Sequence, residues 1–276
     1  MINYNNHNIT GISYNNHSIK YVYGCGGNLV WTGETPPVFG LKLYAEYSTS
    51  ETLEIECNGQ HLDQLEPQHG GSPNITYMEK VYIGGCAKFI PQNTFSDMAT
   101  NLKEAIMHDG ITAIYGSAFS ALYKLSKVTI PNSVTTIGDG AFKGCSGLTE
   151  LNMGTGVTTI SFDAFSGCSQ ITSNVILPSI ESIGDSAFSN CEKLNSVTIG
   201  SACTTIGNYA FYGCSSLKSI VIKAITPPIL GSATFDGSTC PIYVSDESVE
   251  VFKDASTFWK VFKDRIKPIS EKPNYP

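Results

Sequence analysis

Thiols and imidazoles are the side chains whose spacing in this chain invites a chemical reading. Cys145, Cys168, Cys191 and Cys214 stand 23 residues apart, and regular cysteine spacing can mean a metal site, a redox centre or a disulfide framework. The phrase IGDGAFKGCSGL at 137–148 returns as IGDSAFSNCEKL at 183–194 and IGNYAFYGCSSL at 206–217. The first of these holds no histidine, second cysteine or acid pair, which zinc ligation or an activated nucleophile would require. The five histidines lie at 7, 17, 61, 69 and 108. His7 and His17, in twin YNNH turns, offer a metal two ligands among asparagines, short of the three or four that zinc takes. Cys57 and His61 in CNGQH, with Asp63 nearby, supply the types of a nucleophile, a base and an orienting acid, but no second pair follows at finger spacing. No phosphate-cradling GxxxxGK[ST] loop and no GxSxG elbow occurs. The chain is therefore expected to be non-catalytic, with no metal and no cofactor. Asn8, Asn16 and Asn74 head glycosylation triplets, relevant only in a eukaryotic secretory route.

The elements that would carry the thiols are written in the same period. Phenylalanine recurs at 119, 142, 165, 188 and 211, each 23 after the last, with looser members at 95 and 235. Alanine precedes the five, isoleucine stands five before each, and Leu125, Leu148, Ile171, Leu194 and Leu217 stand six after. A V-x-I alternation follows, as in Val128 with Ile130 and Val197 with Ile199, and its period of two is that of a half-buried strand. One such unit cannot bury its apolar side alone, whereas stacked copies bury it by nesting each side chain on its equivalent in the next coil. The pattern predicts a solenoid whose strands, one per coil, form a parallel sheet with about 4.8 Å between neighbours. The AFxxCxxL arc is expected to form the opposite wall in short helical or 3₁₀ turns. Other copies place Met98, Leu122 and Ser238 where cysteine stands, equivalents that a small buried slot tolerates and a metal does not. Parallel side-chain vectors hold stacked cysteines beyond the Cβ separation of about 3.8 Å that a disulfide prefers. Buried, reduced thiols are the expectation.

The units KVTIPNSVTTIGDGAFKGCSGL (127–148) and SVTIGSACTTIGNYAFYGCSSL (196–217) resemble the BspA-type leucine-rich repeat family, over roughly residues 81–270. That resemblance implies a curved leucine-rich-repeat solenoid with its parallel sheet on the concave face. It also implies a non-enzymatic role in binding proteins or glycans at bacterial or host surfaces, and hence an extracellular or cell-surface location.

Composition narrows the partners. The net charge is −7 with a single arginine, Arg265, a poor match to a phosphate backbone or an anionic membrane surface. No apolar run reaches the 18 or so residues of a bilayer span. The opening MINYNNHNIT has neither a basic nor an apolar region of the kind a signal peptide shows.

Four segments are expected: a small β-hairpin segment at 1–33, a β-rich N-terminal cap at 34–80, the repeats at 81–230 and a C-terminal cap at 231–276. Residues 1–33 repeat YNNH ten apart and are similar to short β-prologues of phage tail-associated proteins, which implies, as the alternative function, host recognition from a virion or prophage tail. LEIEC (53–57) fits a degenerate first rung, and 60–74 reads as a polar loop. In the C-terminal cap, PIYV (241–244) reads as a last strand. Ser245 and Asp246 suit a helix start, and Val249, Phe252, Trp259, Phe262 and Ile266 recur at helical spacing as a stripe folding over the final rung. An exposed Trp259 would instead stack on a ligand.

Two surfaces remain for binding. One is the outer side of the strands: Lys127 and Thr129, Glu150 and Asn152, Ser173 and Val175, Ser196 and Thr198, Ser219 and Val221. The other is an aromatic rim of Tyr115, Phe162, Tyr209 and Tyr212, where other copies carry Gly, Asp or Lys; Phe162 aligns with Asp139, Asp185 and Asn208. Exposed aromatics are enriched at binding hot spots.

Overall fold

A computed structural model describes residues 2–4, 7–9, 52–55, 79–83, 88–96 and 99–273. The coil that starts at residue 127 shows how the repeat folds. Lys127–Thr129 is a strand, the chain turns after Pro131, Thr136–Ile137 is a second, two-residue strand, and a run of turns leads to Leu148. Val128, Ile130, Val134, Ile137, Ala141, Phe142, Cys145 and Leu148 all point inward, none more than 2% exposed. Periodicity predicts one strand per coil, and the structure has two. The second escapes a reading by alternation because two residues are too few to alternate.

Successive coils pair in parallel along both ladders, Val128 opposite Leu151 in the long strands and Ile137 opposite Ile160 in the short ones. Down the interior the phenylalanines at 95, 119, 142, 165, 188, 211 and 235 form one stack, with ring centroids 4.9 to 5.7 Å apart and planes within 18°. The coil spacing imposed by backbone pairing is thus also a spacing at which offset rings stack favourably.

Among the described residues the AFxxCxxL arc contains no helix. Its turns close through i−3 bonds of the 3₁₀ kind, Ala141 N–H to Gly138, Cys145 N–H to Phe142 and Leu148 N–H to Cys145. Intervening N–H groups reach the next coil instead, Phe142 N–H to the Ala164 carbonyl and Gly144 N–H to that of Ser166, each at 2.7 Å. Alternating between the two directions needs left-handed residues twice per coil, as at Gly140 (φ +60°) and Gly144 (φ +73°).

The short strands make one uninterrupted seven-stranded sheet, from Phe89–Ile90 to Ile229–Leu230. The long strands make two sheets of five, which part between Glu150–Asn152 and Asn174–Leu177. The core position moves 24 residues from Leu151 to Val175 and then 22 to Val197, while the phenylalanines keep their 23. One residue is gained before the strand and lost after it. Ser173 bridges part of the break, its hydroxyl donating to the Leu151 carbonyl at 3.4 Å. A one-residue slip exchanges the two faces of a strand, so the outward placement of Val175 is corrected. Val175 is 1% exposed in the core, and Ile176 beside it is 55% exposed.

Upstream, Thr52–Ile55 lies parallel to Lys80–Ile83, in the position of a first rung. Ile2–Tyr4 and His7–Ile9 form an antiparallel pair. His17, Cys57, His61, Asp63 and Met98 lie outside the described residues.

At the other end Ile242–Val244 and then Ile266–Pro268 extend the long-strand sheet. Ile266 therefore belongs to a strand, not to the helical stripe. The helical part is two short pieces, Val249–Asp254 and Thr257–Val261. Ser245 and Asp246 do start a helical turn, Ser245 at the N-cap of the 3₁₀ turn Asp246–Ser248, but without a side-chain capping bond: Asp246 instead accepts the Ser270 N–H at 3.1 Å, a bond that holds its carboxyl below the usual range. Trp259 is 1% exposed, lies 6.3 Å from the ring of Phe235 and donates its indole N–H to the Pro228 carbonyl at 2.8 Å. With Phe262 set edge-on to Phe235, it closes the ring stack, which removes it as a ligand platform.

Candidate binding surface

The cysteine column carries no reactive chemistry. Cys145, Cys168, Cys191 and Cys214 are free and fully buried. Each thiol donates to the carbonyl of the phenylalanine one coil back, at 3.0 to 3.3 Å from Phe119, Phe142, Phe165 and Phe188. The Phe142 carbonyl also accepts the Cys145 N–H, so the next thiol occupies its second lone pair. Burial pushes Cys168 and Cys191 well up and Cys214 up to about 12, the opposite of what a nucleophile or metal ligand needs. Among the described residues, no group of three or more His, Cys, Asp or Glu is placed to hold a metal.

The outer side of the long strands is polar and, at its N-terminal half, charge-ordered. Lys80, Glu104, Lys127 and Glu150 are register neighbours on four successive strands. Their contacts alternate in sign, Lys80–Glu104 at 2.7 Å, Glu104–Lys127 at 3.8 Å and Lys127–Glu150 at 3.3 Å. Asn152 donates to Glu150 Oε1 at 3.0 Å, and this bond, with Lys127, lowers the Glu150 pKa. Lys127 and Glu150 thus engage each other across the strands. Further along, Ser196 donates to Asn174 Oδ1 at 2.7 Å, and Thr198 is half-buried beside it. Ser219 is a correction: at 3% exposure it is closed to a ligand, as is Val221 at 5%. Ser219–Ile222 and Ile242–Val244 are buried at every position, the signature of strands covered on both faces.

Thr129 and Asn152 line a shallow groove of about 410 Å³ at the ends of three successive long strands. Its apolar wall is Ile106, Ile130 and Met153, and its polar rim includes His108, Asp109 and Asn132. The wall is packed tightly: a Cβ on Gly154 would collide with the Pro131 carbonyl. Nothing in the repeat consensus signals this concavity, whose lining comes from three different coils.

The rim aromatics are exposed, Tyr115 at 45%, Phe162 at 53%, Tyr209 at 46% and Tyr212 at 43%. Tyr209 and Tyr212 meet edge to face at 5.8 Å, and Tyr115 contacts Phe89. Phe162 stands in a column where Asp185 bonds the Asn208 backbone and amide, and Asn208 in turn bonds Ser232. A phenyl ring has no group to join that ladder.

Arg265, read from composition only as a shortage of cations, locks the cap. Its guanidinium donates to the Cys240 carbonyl at 2.9 Å and to Ser238 Oγ at 3.1 Å, and lies 5.1 Å over the Phe262 ring.

Comparison with known proteins agrees with this architecture. A family model described as BspA type leucine rich repeat region matches in six copies, over residues 88–218 and 160–255. The chain is similar to the crystal structure of a leucine-rich repeat protein from Eubacterium ventriosum, at 30% identity and a TM-score of 0.54, covering 66% of this chain and 46% of that one. It is also similar to a leucine rich cell surface protein from Faecalibacterium prausnitzii, at 25% identity and a TM-score of 0.52, covering 71% and 48%. The chain thus spans about half the length of either structure. No match was found among curated proteins. None of these matches indicates a catalytic family, and among the described residues no helix is long and apolar enough to cross a membrane.

Proposed function

The chain belongs to the BspA-type leucine-rich repeat family, and from that premise we propose that it is a non-catalytic recognition module that binds a protein or glycan at a bacterial or host surface through the outer side of its long strands. The observation that carries this reading is the polar face built by Lys127, Thr129, Glu150, Asn152, Ser196 and Thr198, all partly or fully exposed, with a groove at its strand ends. Within each of the two long-strand sheets parallel pairing holds these side chains in rows, which lowers the ordering entropy that binding costs. The F. prausnitzii relative is a cell surface protein by its description, in keeping with such a setting.

A second surface is favoured by one observation. Tyr209 adopts φ +56°, a left-handed conformation that is strained for a bulky side chain, and its equivalents Gly140, Asp163 and Ser186 are small or polar. Strain held at an exposed aromatic suits a contact residue, so the rim is the alternative binding face. Arrayed host matrix proteins and glycans, probed with the purified chain, test both. Thr198→Arg is expected to abolish the strongest signal and Phe162→Asn to preserve it. The reverse result moves the site to the rim, and loss with neither variant removes both surfaces.

A further inference from the structure

Resting on the strand-face reading, we propose that the groove beside Asn132 and Asn152 seats an extended peptide segment of a protein partner, lying across the strand ends. Three observations lead there. Asn132 uses its Oδ1 to cap the next coil, accepting from the Thr155 N–H at 2.9 Å and its hydroxyl at 3.0 Å, and its amide NH₂ has no partner among the described residues. Asn152 is the mirror case, its side-chain amide donating to Glu150 and its Oδ1 left without a partner among those residues. The lining of the groove therefore offers an amide donor and an amide acceptor, the pair that the carbonyl and N–H of a peptide backbone complement. The second observation is the wall between them. Ile106 and Met153 lie on coils two apart and are only partly buried, so an apolar side chain of the guest gains contact there without displacing the core. The third is shape: a shallow groove of about 410 Å³ lined by three successive coils crosses the strand ends and holds a few residues of a linear segment.

The chemistry of the lining favours a peptide over a sugar. No Phe, Tyr or Trp lines the groove, so the broad aromatic face on which a sugar ring stacks is missing. The last strand lining the groove, Glu150–Asn152, borders the break in the long-strand sheet, and the 55% exposed Ile176 lies on the strand beyond it.

A displayed library of random linear peptides, panned against the purified chain, tests the assignment. Asn132→Asp keeps both bonds to Thr155 and turns the free donor into a charged acceptor, and Asn152→Ala deletes the free acceptor together with the bond to Glu150; unchanged melting temperatures verify that both variants fold. Enriched peptides, measured by fluorescence anisotropy, are expected to bind about tenfold more weakly to each variant, the loss of one buried hydrogen bond, and equally well to Phe162→Asn. Peptides that bind both groove variants as tightly as the parent protein overturn the proposal, as does a library that yields no binder. Acetamido sugars from a glycan array that bind the parent and lose binding in the same two variants overturn it in favour of a sugar. If Thr198→Arg abolishes binding of an arrayed protein while the groove variants leave it intact, the peptide groove falls and the strand-face function stands.

Discussion

Single side chains bear the stability of this molecule because each is repeated in contact with itself. Phe142 touches the rings of Phe119 and Phe165 at 5.0 and 5.1 Å, so Phe142→Ala opens a cavity that two rigid coils cannot collapse. We expect a loss of about 3 to 5 kcal/mol in urea unfolding. The thiols give a pH dependence. A buried thiol whose folded pKa is raised stays protonated while the unfolded chain ionises above about 8.5. The unfolded state then binds fewer protons, and stability falls as pH rises. The contribution is complete below pH 8.5 or so and declines toward the value of about 12 for Cys214. Unfolding midpoints measured across this range are expected to drop, less steeply in Cys191→Ala, and thiol reagents should label the native column slowly and the unfolded protein fast. These columns were legible in the sequence because exact 23-residue spacing is the register itself. What the spacing did not disclose is that each thiol also serves as a donor, since a weak S–H bond leaves no trace in composition.

At the scale of strands and turns, the legible and the hidden part company according to how many residues write the signal. The V-x-I strands alternate and were readable; the Thr136–Ile137 type of strand is two residues long and was not. The slip between Asn152 and Asn174 was masked because a gain and a loss of one residue cancel before the next phenylalanine. The Lys80, Glu104, Lys127 and Glu150 row is visible only when copies are compared for their differences, whereas a consensus averages them away. The polar column beside the rim makes a separate prediction. Phe162→Asn restores an amide where Asp185 and Asn208 form ladder bonds, so it is expected to hold or raise the melting temperature while Asp185→Ala lowers stability by about 1 kcal/mol. A marked loss of stability in Phe162→Asn would show that the ring is a packing residue and not a contact held in reserve.

For the molecule as a whole, stability depends on how the stack is finished. Trp259 and Phe262 cover Phe235, and Arg265 ties the covering segment down through carbonyl and hydroxyl acceptors on the last turn of the stack. Lysine has the charge but not the planar fork, so Arg265→Lys is expected to cost about 1 to 3 kcal/mol, with hydrogen exchange quickening first in residues 235–268. The existence of a cap was legible from its aromatic stripe, but its strand at Ile266 and its tie at Arg265 were not, because both depend on contacts with residues some 25 positions away. The parted sheet has a mechanical meaning. The seven short strands and the seven rings run through without a gap, while the pairing of the longer strands lapses once. A rod built this way is held at every level along one wall and at all but one along the other, so the level beside Asn152 is where the fewest backbone bonds resist bending.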